Sequence, residues 1–296
     1  MCIFFHEELF TAMKIIECPR DAMQGIDEFI PTDRKIAYIN QLLRVGFDTI
    51  DFGSFVSPKA IPQMRDTPEV LDGLDMNIGR TKLLAIVANT RGAEDACKFG
   101  MISYLGFPLS ISETFQKRNT NKSIAEALNT VSEIQDLCVK NGKQQVVYIS
   151  MGFGNPYGDP YDEGVVGKFV DILNTLGVTI VSLADTIGVS KPAQIRNLFT
   201  AMSKQFSDIE IGVHLHSSPS TAREKIEAAF QSGCKRFDGA IKGFGGCPMA
   251  EDELVGNLAT EEIVKYLLEQ NVDLTMEMDE LGRSIALADK VFPAKS

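Results

Sequence analysis

Eight short apolar runs divide the chain into repeats, and a polar loop and an amphipathic stretch follow most of them. The runs are rich in β-branched residues and are mostly apolar on both faces, as expected of parallel strands that helices cover. They occupy residues 14–18, 48–53, 82–88, 102–107, 145–151, 179–184, 210–214 and 236–240. Eight strand–helix units in series predict either a closed barrel or a large doubly wound sheet.

The loop after the first run separates these two folds. A doubly wound dinucleotide-binding sheet would carry a glycine-rich G-x-G-x-x-G turn there. The chain instead reads CPRDAMQ at residues 18–24, with no glycine. We therefore predict an α/β fold of the TIM (β/α)8 type, one parallel eight-stranded barrel over residues 13–296 that ends in C-terminal helices. Residues 1–12 lack the basic region and cleavage site of a signal peptide, and we expect them to be a loose N-terminal extension.

The composition of the chain argues against several classes of binding partner. The formal net charge of −11 argues against nucleic acid, which requires a basic surface. No apolar run approaches the roughly 20 residues of a membrane span, so we expect no membrane contact. The six cysteines form no C-x-x-C pair, which argues against a zinc knuckle and favours reduced thiols in a cytoplasmic protein.

Polar side chains gather at the ends of the predicted strands, where a TIM barrel places its active site. The sharpest case is His214-x-His216, which holds two of the three histidines in the chain. Alternate residues of a strand point the same way, so both imidazoles can face one point. Two polar residues that merely form hydrogen bonds would also fit, but acids at other strand ends favour a metal site.

Oxygen ligands for such a metal are available nearby. Asp21 is the natural carboxylate ligand, although an aspartate there could also cap a helix. Asn257 could add an amide oxygen, or it could cap the helix predicted at residues 260–269. Two imidazoles with oxygen ligands and no thiolate suit a divalent metal such as Mg²⁺ or Mn²⁺ better than structural zinc.

Four further residues are candidates for chemistry. Arg20 could hold the oxygen of an enolate through its planar guanidinium, or serve only as an ion-pair partner. Asp51 and Asp185 lie in apolar surroundings, where an unpaired carboxylate is costly, so both are expected to have a partner or a function. Cys247 lies in a loop with glycines at 243, 245 and 246 and could be a thiol acid on a mobile lid.

From about residue 14 to residue 268, the chain resembles the 3-hydroxy-3-methylglutaryl-CoA (HMG-CoA) lyases, TIM barrels of the metal-dependent lyase and Claisen-synthase group. The segments that carry the resemblance are PRDAMQ (19–24), SFVSPK (54–59), IPQM (61–64), SLADTIG (182–188), VHLH (213–216), GFGGCP (243–248) and GNLATE (256–261).

The resemblance implies a role for each matching residue. It implies metal ligation by Asp21, His214, His216 and Asn257. It implies catalytic roles for Arg20, Cys247, Asp51 and His214, and substrate contacts for Gln24, Ser54, Asp185 and Thr186. It also implies an acyl-CoA substrate and a homodimer.

Several positions depart from the family pattern, and three of them are Asp51, Ser217 and Asp27. Asp51 replaces a glutamate and is shorter by one methylene group. Ser217 follows the second histidine, where the family has an aspartate that would anchor the site. Asp27 lies near the place of a lysine that faces CoA.

The expected activity is metal-dependent retro-Claisen cleavage of HMG-CoA to acetyl-CoA and acetoacetate. The alternatives are a lyase for another 3-hydroxyacyl-CoA, a Claisen synthase that condenses acetyl-CoA with a 2-oxoacid, and a barrel that has lost catalysis and only binds.

Overall fold

The computed structural model describes residues 12–246 and 255–292 and contains a closed barrel of eight parallel strands. Each strand pairs with its sequence neighbours, and the barrel closes because β1 (Lys14–Glu17) pairs with β8 (Arg236–Gly239). The predicted TIM barrel is confirmed.

Helices alternate with the strands around the barrel. The remaining barrel strands are β2 (Thr49–Ser54), β3 (Lys82–Ile86), β4 (Ile102–Ser110), β5 (Gln144–Ser150), β6 (Ile180–Asp185) and β7 (Glu210–Ser217). The helices are α1 (Pro19–Gln24), α2 (Thr32–Leu43), α3 (Thr67–Asp72), α4 (Thr90–Cys97), α5 (Glu113–Thr120), α6 (Ile124–Lys140), α7 (Glu163–Thr175), α8 (Pro192–Gln205), α9 (Ala222–Gln231), α10 (Thr260–Glu269) and α11 (Met278–Val291). A short ninth strand, β9 (Gly256–Asn257), runs antiparallel to β7.

Local sequence explains where several helices begin. Ser123 accepts a hydrogen bond from the Glu126 backbone N–H, and the Glu126 side chain in turn accepts one from the Ser123 N–H. This reciprocal capping box satisfies two backbone donors that a helix start would leave unpaired. Asn89, Ser112 and Asp162 cap α4, α5 and α7 with single side-chain bonds.

Strand alternation separates two apolar layers. One set of strand residues, such as Leu105 and Phe107, packs against the helices in the main core. The opposite set faces the barrel axis and forms a separate cluster whose buried members are Leu84, Ile86, Tyr104, Val146, Tyr148 and Ile180. These side chains thus fill the barrel interior below the carboxyl ends of the strands.

The predicted strands agree with the observed ones in number and order, but two are longer. β4 and β7 each extend three residues beyond the predicted end, to Ser110 and Ser217. Pairing causes both extensions, because Ser110 is in register with Ser150 on β5, and Ser217 is in register with Gly256 on β9. Apolar content alone could not indicate these polar strand ends.

Two predictions fall at the limits of the described chain. Residues 1–11 of the predicted extension lie outside the described residues, as does Cys247.

Of the helices described, none is long and apolar enough to cross a membrane. The four described cysteines, at positions 18, 97, 138 and 234, are all free thiols.

Candidate metal centre and active site

The two histidines at the end of β7 face each other. Their Nε2 atoms are 3.3 Å apart. Nδ1 of His216 lies 3.0 Å from the backbone oxygen of Val255, and Nδ1 of His214 lies 3.3 Å from Asp238 Oδ2. A carbonyl oxygen and a carboxylate only accept hydrogen bonds, so each Nδ1 carries the hydrogen and each neutral Nε2 presents a lone pair. Two lone pairs aimed at each other require a proton or a cation between them.

Asp21 completes this cluster from α1. One ligand atom of Asp21 and one from each histidine all lie within 4.8 Å of one another. The Asn257 amide donates to Asp21 Oδ2 at 2.7 Å and to the backbone oxygen of Phe244 at 2.8 Å. Both amide hydrogens are thereby used, and the amide oxygen is left as the atom that could bind a cation. Because Ala259 is the N-cap of α10, Asn257 does not cap that helix.

The geometry of the neighbouring loop depends on glycine. Gly245 has a φ of +90°, and a Cβ placed there would lie 2.7 Å from the Asp21 backbone oxygen and 2.8 Å from Asn257 Nδ2. A larger residue would push on two candidate ligands at once. The start of the predicted lid therefore packs against two of the candidate metal ligands.

Arg20 borders the cluster and holds three side chains. Its Nε and Nη2 donate to Asp51, with distances of 2.5 to 3.2 Å, and its Nη1 donates to Asp21 and to Gln24 at 2.9 Å each. Gln24 in turn donates to Asp21 at 2.7 Å. A guanidinium has five N–H groups. Four are used in this way, and one N–H on Nη2 remains for a ligand.

Burial and charge perturb the acids and bases of the site. Burial raises the pKa of Asp51 to about 6, because Arg20 must be shared with Asp21 and only partly offsets the lost hydration. Burial acts in the same direction on Asp21, but Arg20 and the two histidines outweigh it and lower that pKa. Asp21 is thus a carboxylate at neutral pH, as a metal ligand must be.

The two imidazoles differ in basicity. Burial lowers the pKa of His216, and the neighbouring His214 lowers it further. Burial also opposes protonation of His214, but the hydrogen bond and charge of Asp238, together with Asp21, outweigh it and raise that pKa. A proton held between the two rings therefore belongs to His214, and a metal ion would have to displace it.

A cavity of about 450 Å³ opens above this cluster at the carboxyl ends of the strands. Arg20, Asp21, His214 and His216 lie on its floor beside Tyr148, whose ring packs edge-on against His214 at a centroid distance of 5.6 Å. The rest of the wall is largely apolar. It includes Val56, Ala60, Ile61, Ile86, Ala88, Pro108 and Phe115, with Arg118, Asn119 and Thr120 from the end of α5.

Known proteins are similar to this chain in sequence. The HMGL-like family profile matches residues 13–287. A hydroxymethylglutaryl-CoA lyase of Bacillus subtilis, YngG, is 36% identical over 263 residues, which cover 89% of this chain and 87% of the relative. The chain belongs to the HMGL-like family.

Solved structures agree with this membership. The HMG-CoA lyase of Bacillus subtilis superposes with a TM-score of 0.88 at 34% identity, covering 95% of this chain and 94% of the other. An HMG-CoA lyase of Acinetobacter baumannii, solved in complex with coenzyme A and 3-methylmalate, gives a TM-score of 0.85 at 31% identity, covering 93% and 91%.

Some residues predicted to act on substrate in this HMGL-like protein lie behind the cavity wall. Asp51 is 1% exposed, and its carboxylate is bound to Arg20. Ser54 is 2% exposed and donates to the backbone oxygen of Ile86. Neither is among the residues that line the described cavity. Their contribution is to fix Arg20 and the ends of β2 and β3.

Asp185 and Thr186, which are neighbours in the sequence, also differ in whether they line the cavity. The Asp185 carboxylate accepts hydrogen bonds from Val189, Ser190 and Lys225, and it is absent from the described cavity wall. Thr186 does line the cavity, and its hydroxyl accepts a 2.8 Å bond from the Met151 N–H. Of these two residues, Thr186 is thus the one that lines the described cavity.

Gln24 also lines the cavity, next to Asp21. Arg118 also lines the cavity, and its guanidinium lies 4.8 Å from the Tyr157 ring centroid. Exposed Lys117 pairs with Glu113 instead, and Asp27 is exposed.

Sequence reasoning missed Asp238, Tyr148 and Lys225. Asp238 is 1% exposed and orients His214, and an acidic side chain inside a buried strand was the available signal. Tyr148 gave no signal, because a strand tyrosine is ordinary core material. Lys225 could have been noticed only as a lysine on the apolar face of α9, where it is 2% exposed.

Proposed function

We propose that the protein cleaves HMG-CoA to acetyl-CoA and acetoacetate with the help of a divalent metal ion. The observation that carries this proposal is the facing pair of imidazole lone pairs beside Asp21 and Arg20, on the floor of a cavity of about 450 Å³. Membership in the HMGL-like family and relatives described as HMG-CoA lyases support the same substrate.

The donor set fits a divalent cation. Asp21 supplies a carboxylate oxygen, His214 and His216 supply Nε2, and Asn257 supplies an amide oxygen, which makes a mixed oxygen and nitrogen set without a thiolate. We propose Mg²⁺ or Mn²⁺ as the ion. When bound, such an ion acidifies a substrate hydroxyl and orients the bond to be broken.

Arg20 supplies the second function of the site. Removal of the C3 hydroxyl proton allows the C2–C3 bond to break, C3 becomes the ketone of acetoacetate, and the electron pair moves to the thioester as an enolate. The unused N–H of Arg20 can donate to that enolate oxygen. A donor placed where charge develops contributes on the order of 3 kcal/mol. We assign to Cys247 the return of a proton to C2, as the family resemblance implies.

Two groups were candidates for the general base, and their placement differs. Asp51 does not line the described cavity, whereas His214 does. Asp238, at 3.3 Å from His214 Nδ1, would stabilise an imidazolium at that position. We infer that His214 is the candidate able to reach the hydroxyl proton. Its Nε2 lone pair can serve either the metal or the proton at one moment, but not both.

Acetoacetate release from HMG-CoA tests the proposal. We expect release with Mg²⁺ or Mn²⁺, none with EDTA, and loss of release in His214→Ala. Mn²⁺ titration of the same variant separates the two functions of the imidazole. Weakened Mn²⁺ binding identifies His214 as a ligand, and unchanged binding with lost turnover identifies it as the base. Stoichiometric Mn²⁺ binding without acetoacetate release would reject HMG-CoA as the substrate, and other 3-hydroxyacyl-CoAs and 2-oxoacid condensation would then be assayed.

The homodimer and the cytoplasmic location stay predictions. Light scattering on a size-exclusion column measures the first, with a mass near twice 32.5 kDa as the expected result. Cell fractionation of the native host measures the second.

A further inference from the structure

Lys225 on α9 is a buried ammonium group that the reaction proposed above does not use. Its side chain is 3% exposed, yet all three of its N–H groups have an acceptor. It donates to Asp185 Oδ2 at 2.8 Å, to the backbone oxygen of Gly188 at 2.9 Å and to the backbone oxygen of His216 at 2.8 Å. A buried charge is tolerated only with such complete pairing.

The three acceptors belong to the parts of the fold that hold His216. Asp185 lies at the end of β6, one residue before the cavity-lining Thr186. The backbone oxygen of His216 belongs to the peptide unit of the histidine itself. Gly188 lies in a turn, where an added Cβ would lie 2.7 Å from the Val255 side chain. Val255 is the residue whose backbone oxygen accepts the hydrogen bond from His216 Nδ1.

Lys225 therefore supports His216 through two contacts. It donates to the backbone oxygen of His216 directly, and it donates to the turn at Gly188, against which Val255 packs. Val255 in turn accepts the hydrogen bond from the His216 imidazole. The position of Nε2, and its 3.3 Å approach to His214 Nε2, depend on both. Mutation of a residue that holds a metal ligand by hydrogen bonds typically lowers metal affinity by about 10- to 100-fold.

A departure from the family pattern makes this contact informative. The resemblance to the HMG-CoA lyases implies an aspartate after the second histidine, and this chain has Ser217, which is buried and in register with Gly256 on β9. The sequence predicted that an anchor of the site would be missing here. The structure brings a charged anchor from another element instead.

We propose that Lys225 is a positioning residue that fixes His216 in the geometry required for metal binding. The proposal rests on the function proposed above, since it assumes that His216 is a metal ligand. Only lysine fits, because three hydrogens on one nitrogen can point at three separate acceptors. The planar fork of arginine spreads its hydrogens over several atoms and cannot replace all three bonds from one point.

Mn²⁺ titration of EDTA-stripped protein tests the proposal. We expect Lys225→Met to raise the Kd for Mn²⁺ by about 10- to 100-fold. Turnover should return to within a few-fold of wild type at saturating Mn²⁺, because the reacting groups are intact. Lys35→Met is the matched control. Lys35 is 2% exposed and pairs with Asp66 at 2.7 Å, but its acceptors are Asp66 and the backbone oxygen of Gln63 rather than any metal ligand.

The outcomes are distinct. If both variants lower the melting temperature but only Lys225→Met weakens Mn²⁺ binding, the proposal is supported. Equal Mn²⁺ affinity in Lys225→Met and wild type would overturn it. Wild-type protein that binds no Mn²⁺ would instead overturn the function proposed above. Should Lys225→Met fail to fold, Lys225→Arg decides, with a several-fold rise in Kd expected and an unchanged Kd refuting the proposal.

Discussion

Substitution of Arg20 by glutamine tests the chemistry most directly. In the structure, four of the five N–H groups of Arg20 bind Asp51, Asp21 and Gln24. Glutamine places an amide nitrogen near the position of the arginine Nε, but it removes both Nη atoms and with them the charge and the fork. The variant therefore loses the free N–H that is placed for the enolate, and it also leaves two carboxylates without their shared cation.

The size of the effect follows from these contacts. Loss of one donor to a developing oxyanion costs about 2.7–4 kcal/mol of transition-state stabilisation, or roughly 10²- to 10³-fold in kcat. Because the contact is formed with the enolate and not with the bound thioester, kcat and kcat/KM should fall together while KM changes little. The pKa of Asp51, which burial raises to about 6, should rise further without Arg20.

The assay is acetoacetate release at saturating Mn²⁺, with the Mn²⁺ Kd of each variant measured separately. Arg20→Lys is the matched variant, because it keeps the charge and loses the bidentate contact to Asp51. We expect its kcat to lie between those of wild type and Arg20→Gln. An Arg20→Gln protein that binds Mn²⁺ normally and turns over within about tenfold of wild type would refute the assignment.

Three further predictions concern the support of the site. Asp238→Asn should lower the pKa of His214 and raise the Mn²⁺ Kd by about tenfold or more, and NMR titration of the imidazole checks the first effect. Burial raises the pKa of Glu17 to about 8 from 4.5, so between these values the folded protein holds a proton that the unfolded chain has lost. Stability should therefore fall as pH rises through this window, by up to about 1.4 kcal/mol per pH unit, and Glu17→Gln should flatten that slope in urea denaturation at pH 6 and 8. Gly245→Ala should weaken Mn²⁺ binding, whereas Gly142→Ala, at a φ of +64° with open space around it, should cost stability alone; equal Mn²⁺ affinity in both would contradict the steric argument.

The sequence by itself determined the barrel and the centre of the candidate metal site. Eight apolar runs of strand length with helical stretches between them leave few other folds, because each strand must be covered on its outer face. The spacing of His214 and His216 carries its own geometry, since a strand repeats its side-chain direction every two residues. Asp21, one turn after β1, follows from the rule that barrel chemistry lies at the strand ends.

Only the tertiary structure decided which polar residues reach the cavity. Asp51 and Asp185 look equivalent to Arg20 and Thr186 in the sequence, yet neither lines the described cavity: Asp51 is bound to Arg20, and Asp185 is bound to Lys225. Sequence position says that a residue stands at a strand end, but not which side of the barrel wall its side chain occupies. That side depends on twist, bulges and neighbouring strands, such as the register shift between Asp51 and Gly53.

The groups that hold the metal ligands were also decided by tertiary structure. Asp238 lies 24 residues from His214, and Asn257 lies 236 residues from Asp21, yet each pair is within hydrogen-bond distance. Lys225, on α9, donates to the backbone oxygen of His216. Such contacts join distant elements only after the barrel closes, because closure is what brings β8, β9 and α1 to the same end of the fold.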